Sequence, residues 1–399
     1  MNTDETIGRS PGYSLWQLVQ YMTKLGTIGF GGPVALVGYM YRDLVESRKW
    51  ISEADYKEGL ALSQLLPGPL AFKVAIYLGF VHYRILGATL VGIFFVIPSF
   101  LMVIALGWAY VRYGGLSWMQ AVFYGVGAAV IGIIALSAYK LTTKSIGKDK
   151  LLWTIFLVLA STTVITETEI PWLFFAAGVI AWFVRAPPKG WFTKGGNAAL
   201  VGIGGLGDHL STACAVGSAL DWPVLGQIGL FFAEASAFVF GSGLAIVPFL
   251  YGGVVTENHW LNERQFIDAV AVAMITPGPV VITTGFIGYL VAATPGAIVA
   301  GLGTFLPPFL FTIIPAPYFK KYGKLPGLVA FVNGVTAAAI GAITGGVIVI
   351  ARHSIVDIPT IAIMAVTLLL LWKVKKIPEP AIVALAAVAG LVVYPLIKA

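Results

Sequence analysis

Apolar runs follow one another along the chain from Leu15 to Ile397, parted by short polar loops. Runs of roughly 16 to 30 residues predict helices rather than the short alternating strands of a barrel. The first long segment, about Tyr13 to Val45, is interrupted at Gly29-Phe30-Gly31-Gly32-Pro33. The part before that break has about 15 residues, too few to cross a hydrocarbon core of about 30 Å. It is either one broken span or a re-entrant hairpin. A charged loop, Tyr41 to Glu58, leads to an apolar helix over Leu60 to Tyr77 that is broken by Pro67-Gly68-Pro69 and ends at His82-Tyr83-Arg84. Helices are predicted over Leu86–Val111, Met119–Leu141, Leu151–Thr166 and Pro171–Val184.

A Pro/Gly/basic linker runs from Arg185 to Asn197. The Gly-rich run Ala198 to Ala219, which holds Asp208 and His209, reads as a loop or as a short embedded piece. From Gln227 the pattern begins again. Phe30-Gly31 matches Phe240-Gly241, Trp50 matches Trp260 and Pro67-Gly68-Pro69 matches Pro277-Gly278-Pro279, all 210 residues apart. Tyr113-Gly114, Gly125 and Gly132 return as Tyr322-Gly323, Gly334 and Gly341, 209 residues apart. One register kept through so many anchors is an internal repeat. The layout is a polar tail (1–12), a first membrane repeat (13–185), a linker (186–221) and a second repeat (222–399).

Composition agrees with this reading. Of 399 residues, 58% are apolar and only 11% charged, against about 25% charged in soluble domains. The fold class is an all-α polytopic membrane protein of ten to thirteen passes, re-entrant pieces included. The net charge of +7 is spread over loops, where basic residues set orientation. No basic cluster has the aromatic interleaving of a nucleic-acid surface. The first break is followed by Arg42, Arg48, Lys49 and Lys57, its counterpart only by Arg264. That asymmetry favours inverted repeats, although Lys320, Lys321 and Lys324 load the opposite way. Cys214 is the sole cysteine, which leaves no internal disulfide or thiolate cluster. Met1 to Gly12 lacks a signal-peptide pattern, so insertion is expected through the first helix, into a plasma or bacterial inner membrane.

The breaks carry the chemistry. Proline opens the helix ladder, and in hydrocarbon an open ladder is tolerated only inside protein or along a watery cavity. The half-helix beginning near Pro69 turns free N–H groups and partial positive charge into its break. Lys73, one turn on, leans back over the same spot. A lysine at membrane depth costs roughly 2.5–3.5 kcal/mol, a penalty that an anion in the break relieves. The competing reading is a simple kink with Lys73 snorkelling or paired to a carboxylate.

The spacing of Phe30-Gly31-Gly32-Pro33, Trp50, Leu60-Ala61-Leu62-Ser63-Gln64, Pro67-Gly68-Pro69 and Gly79 resembles the chromate ion transporter (CHR) family. Phe240-Gly241, Trp260, Thr276-Pro277-Gly278-Pro279 and Gly288-Tyr289 resemble the same domain again, as in the family's long two-domain form. The resemblance implies a secondary transporter that exports chromate on the membrane potential or a proton gradient and gives resistance, with sulfate as mimic or competitor. It departs at Gly241-Ser242-Gly243 and at Met274, which stands opposite Gln64. More of the substrate chemistry is therefore expected in the first half.

A tetrahedral dianion needs donors in place of its hydration shell. Glycine-rich backbone at Gly31, Gly32, Gly68, Gly241, Ser242, Gly243 and Gly278 offers them, beside Pro67, Pro69, Pro277 and Pro279. Close helix packing is the competing use of the same glycines. Gln64, Tyr77, Thr276, Thr283 and Thr284 offer side-chain donors, unless the hydroxyls bond their own helices. The register also sets Lys24 opposite Glu234, a pair expected to meet across the repeat axis or to snorkel apart. Arg42, Arg48, Lys49 and Arg84 either gather anions at an entrance or fix topology.

The expected partners are chromate, sulfate, the lipid bilayer and a second copy in a homodimer. No cofactor, metal or nucleic acid is expected. An anion channel, a carrier for another oxyanion and an intramembrane enzyme are the rival classes. The last has no hydrolase, zincin or phosphate-loop motif behind it.

Overall fold

The computed structural model describes residues 12–29, 32–113, 117–167, 170–187, 222–238, 246–319, 325–355, 357–373 and 379–398, which are helices joined by turns. The first half holds α1 (Leu15–Ile28), α2 (Gly32–Met40), α3 (Glu53–Leu65), α4 (Leu70–Tyr113), α5 (Ser117–Ser145), α6 (Lys150–Thr166) and α7 (Pro171–Arg185). The second holds α8 (Trp222–Phe238), α9 (Ile246–Tyr251), α10 (Glu263–Ile275), α11 (Thr283–Ile313), α12 (Pro326–Ser354), α13 (Ile358–Lys373) and α14 (Glu379–Lys398). By length and composition, Leu70–Tyr113, Trp118–Thr143, Val280–Tyr318 and Pro326–Arg352 can cross a membrane.

The repeat extends to hydrogen bonds. α2 and α9 each widen into a π-helical turn, Tyr41–Ser47 and Gly252–Glu257. Arg48 N then bonds Asp43 O and Asn258 N bonds Gly253 O, both at 3.0 Å. Trp50 N reaches Leu44 O at 2.8 Å, as Trp260 N reaches Val254 O at 2.9 Å. Ser52 and Asn262 cap the next helices, accepting from Asp55 N and Gln265 N. The stretch expected as a charged loop from Tyr41 to Glu58 is therefore helical except at 48–52.

Each half begins with two hairpins. Tyr21 OH donates to Tyr39 O (3.3 Å) and Asp43 Oδ2 (3.2 Å), which sets α1 and α2 side by side with Gly29 and Gly32 at their facing ends. The first break is thus re-entrant. The second departs from one helix with a kink. Tyr77 lies against Gly59 and the Lys73 ammonium reaches Leu66 O, so α3 and the start of α4 run antiparallel with Pro67-Gly68-Pro69 at their tip. α4 reverses again at Arg84, whose φ is +55°, and Gly79 meets Gly87. Its first arm, 70–83, is about 20 Å long and only the second, 85–113, is long enough to span. α11 repeats this turn at Ala293 (φ +49°), with Gly288 against Gly296. The hairpins' open ends gather where Tyr13 stacks on Trp50 (4.9 Å between centroids) and Tyr13 OH meets His82 Nδ1 at 2.7 Å.

The halves meet along α4 and α11. Phe100 packs on Gly301, while Phe72, at the level of Gly92, packs on Phe305. Gly107 packs on Tyr289, next to the α11 turn. Advancing along α4 means retreating along the second arm of α11, so the two are antiparallel. Symmetry-related antiparallel spans need a twofold axis across them, in the membrane plane: the repeats are inverted. Beyond this contact the halves exchange partners. α5 packs on α13 and α14, with Gly125 under Ala386 O, while α12 packs on α6 and α7, with Gly334 under Ala177 O. Both contacts keep the 209-residue offset.

A Cβ on Gly107 would lie 3.4 Å from that of Tyr289, close to disulfide spacing. Gly107→Cys with Tyr289→Cys, on a Cys214→Ser background, is expected to cross-link on mild oxidation, read as reductant-sensitive mobility. Parallel repeats would leave the pair unlinked.

Candidate functional site

Two of the four breaks, Pro67-Gly68-Pro69 and Pro277-Gly278-Pro279, fall within described residues, as do Gly29 and Gly32 at the edges of the first. Gly278 N donates to Gly29 O at 2.9 Å, joining the second half's Pro-Gly-Pro tip to the first half's glycine tip. Ser99, buried in the middle of the second arm of α4, donates its hydroxyl to Gly26 O at 3.0 Å. Gly68 and Gly278 both hold positive φ, +104° and +99°, a conformation that favours glycine. A side chain on Gly278 would collide with Ser99 Oγ, and one on Gly68 with Pro308. Ser99 and Pro308 are themselves repeat equivalents, 209 residues apart. Each Pro-Gly-Pro tip therefore rests on the opposite half's long helix. Gly32 opens α2, whereas Gly31, Gly241, Ser242 and Gly243 lie outside the described residues.

Lys73 is fully buried. Its ammonium donates to Leu66 O, the end of α3, where partial negative charge gathers. That uses one of three donors. Among the described residues no ion pair joins it to a carboxylate; the ion pairs found there are Arg42–Asp43, Lys57–Glu53 and Arg185–Asp149. Ser63 Oγ, on the same hairpin, is buried with no hydrogen-bond partner. A buried hydroxyl left unpaired costs about 1–3 kcal/mol. Pro67 is half-buried and Pro69 buried; Tyr77 is buried against Gly59, and Gln64 is exposed.

The second half is built differently. Val280–Ile282 forms a 3-10 turn after the break, so α11 starts at Thr283, where the first half already has its helix under way at Lys73. Thr276 Oγ1 bonds Val272 O (2.7 Å), Thr283 Oγ1 bonds Val280 O (2.8 Å) and Thr284 Oγ1 bonds Val281 O (3.0 Å). These hydroxyls serve their own backbone. Pro277 and Pro279 are buried beside them.

Lys24 and Glu234 are both exposed, and no ion pair joins them. α1 packs on α4 and α8 on α11, and each turns this position outward. Arg48 lies over the rings of Tyr21 (5.3 Å) and Trp50 (4.6 Å), and Arg42 pairs with Asp43. Ser63 and Ser99 are additions that sequence reasoning passed over. Ser63 stood inside the quoted Leu60 to Gln64 motif, and Ser99 follows Pro98, a proline within a long apolar run. A cavity of about 340 Å³ between α4 and α11 is lined by Phe72, Phe100, Phe305 and aliphatic side chains. The hydroxyl of Thr89, which also lines it, is bonded to Ile85 O. It offers an anion nothing.

The chromate transporter family profile matches residues 16–182 and 226–391, one stretch in each half. The chain belongs to the chromate transporter family. It is 70% identical over 392 residues to the chromate transport protein of Cupriavidus metallidurans, covering 98% of this chain and 96% of that one. It is 58% identical to the probable chromate transport protein of Synechococcus elongatus, covering 98% and 99%. A chromate transport protein of Pseudomonas aeruginosa is 30% identical, covering 96% and 94%. No solved structure matches. The chain is thus a multi-pass membrane transporter of this family and not an enzyme.

Gly278→Ala is expected to cost about 1–3 kcal/mol, from positive φ and the Ser99 clash together. Gly147 also has positive φ (+57°) but open space around it, so Gly147→Ala should cost clearly less. Thermal unfolding of the purified variants in detergent measures the difference.

Proposed function

We propose that this protein carries chromate out of the cell across the inner membrane as a secondary transporter working by alternating access, and so confers resistance. Sulfate, the same shape and charge, competes for the site. One observation carries the reading: Lys73 is fully buried beside the N-terminus of α4, at the Pro67-Gly68-Pro69 break, with no carboxylate paired to it among the described residues. A lysine there must be met by an anion or give up its proton. The amides that open α4 and the spare hydroxyl of Ser63 add neutral donors of the kind that hold an oxyanion. The names of the near full-length relatives supply chromate as the anion. Inverted repeats whose breaks rest on each other's long helices supply the route: rocking one half against the other exposes the break to either side in turn. The chain has no Walker phosphate loop, so the energy comes from a gradient or from a separate subunit, and the secondary-transporter reading takes the gradient.

In everted vesicles, Lys73→Ala is expected to reduce radiolabelled chromate uptake about ten-fold or more at equal expression, the value of one charge-assisted contact. Excess sulfate should inhibit the wild type. Wild-type flux from the variant would return Lys73 to a structural role. Absence of chromate flux from the wild type, with sulfate flux present, would make the substrate another oxyanion.

A further inference from the structure

One carboxylate has no place in the anion site. Asp268 on α10 is 97% removed from solvent, with 3% relative exposure. It lies about 13 Å along its helix from the Pro277-Gly278-Pro279 tip. Its Oδ2 accepts the hydroxyl of Tyr110 at 2.7 Å, and no ion pair joins it to a cation among the described residues. Tyr110 belongs to the first half and Asp268 to the second, so this bond crosses between the repeats. Asp268 also lines a cavity of about 240 Å³ with Tyr124, Glu263, Arg264, Thr360 and Tyr394. Arg264, one turn nearer the start of α10, is exposed.

We propose that Asp268 is the proton-binding group of this carrier, loaded and unloaded through the Arg264 cavity and linked to the opposite half by Tyr110. The proposal rests on the carrier reading above. The step is a simple protonation: a hydronium ion in the cavity gives its proton to the carboxylate, leaving a carboxylic acid and water, and the reverse step returns the proton. The charge at this point changes from −1 to 0. A phenol donating to a carboxylate makes a charge-assisted bond, roughly twice as strong as one to a neutral acid. Protonation therefore weakens a bond that holds the halves together, and deprotonation restores it. A proton with different affinity for the two arrangements biases their equilibrium.

The other ionisable groups facing this space do not substitute for Asp268. Tyr124 donates to Asp357 Oδ2 at 2.6 Å, Tyr394 to Gln120 Oε1 at 3.2 Å and Tyr251 to Glu263 Oε1 at 3.2 Å. Arg264 is a guanidinium and accepts no hydrogen bond. Among the described residues Asp268 is the carboxylate that combines burial, the cavity and a bond to the other repeat. Its first-half equivalent, Glu58, is only half-buried.

The test uses the full chain in proteoliposomes, with a trapped pH dye and radiolabelled chromate. Wild type is expected to couple net chromate movement to proton movement. Asp268→Asn should keep chromate–chromate exchange within about two-fold and lose proton movement at least ten-fold, with a flattened pH profile. Asp268→Glu should restore coupling. Tyr110→Phe should keep coupling but shift the midpoint of the pH profile upward, because the ionised acid has lost its donor. Normal proton movement from Asp268→Asn overturns the proposal, as does an unmoved pH profile in Tyr110→Phe. Loss of exchange in both Asp268 variants while the purified chains stay monodisperse makes the residue structural, and also overturns it. Wild-type exchange without proton movement overturns the proton site and leaves the carrier reading intact. No wild-type exchange at all sinks the carrier reading itself.

Discussion

Everything in this architecture depends on how an interrupted helix is tolerated in hydrocarbon. A break frees backbone amides and carbonyls that lipid cannot bond, so protein must cover them. Here the cover is reciprocal. The tip at Gly278 rests on Ser99 and bonds Gly29 O, while the tip at Gly68 rests on Pro308. The contact is close enough to demand glycine at both tips, which ties the backbone conformation of each break to the packing of the other half.

Within that symmetric frame the chemistry is one-sided. The first half places a buried lysine and an unpaired hydroxyl on its Pro-Gly-Pro hairpin. The second places a β-branched run, Val280-Val281-Ile282, whose 3-10 turn delays the helix, and threonines that bond their own carbonyls. The two Pro-Gly-Pro hairpins thus share a backbone plan but differ in the side chains they bury. Asp268 then puts negative charge on the second half, away from the lysine hairpin but bonded to the first half's Tyr110.

Much of this was legible in the sequence because the repeat preserves it at fixed spacing. The Trp50 and Trp260 anchors, the two Pro-Gly-Pro breaks and the helix end near Arg84 were all placed by pattern, and each has its counterpart in hydrogen bonds or backbone angles. The inverted relation was visible only as a loop-charge asymmetry, since antiparallel packing is a tertiary property. Leu60 to Tyr77 read as one bent helix because its apolar content is continuous; the fold-back depends on Gly59 admitting the ring of Tyr77. Register equivalence set Lys24 opposite Glu234, but equivalence under a twofold does not require proximity, and α1 and α8 sit on different long helices. Ser63 and Asp268 carried no sequence signal beyond being polar in apolar surroundings.

The exchange of helices between halves has a consequence for how the chain is made. α5 emerges with glycine-lined grooves meant for α13 and α14, which are synthesised more than 200 residues later. α6 and α7 likewise wait for α12. The first half can insert but cannot complete its packing until nearly the whole chain is in the bilayer, so assembly is dominated by contacts of long sequence separation. During that interval the exposed glycine faces are open to mispairing with the same faces of a neighbouring nascent chain, the characteristic hazard of repeat proteins. The same dependence makes the two halves one cooperative unit: damage to α14 strips support from α5, at the other end of the sequence.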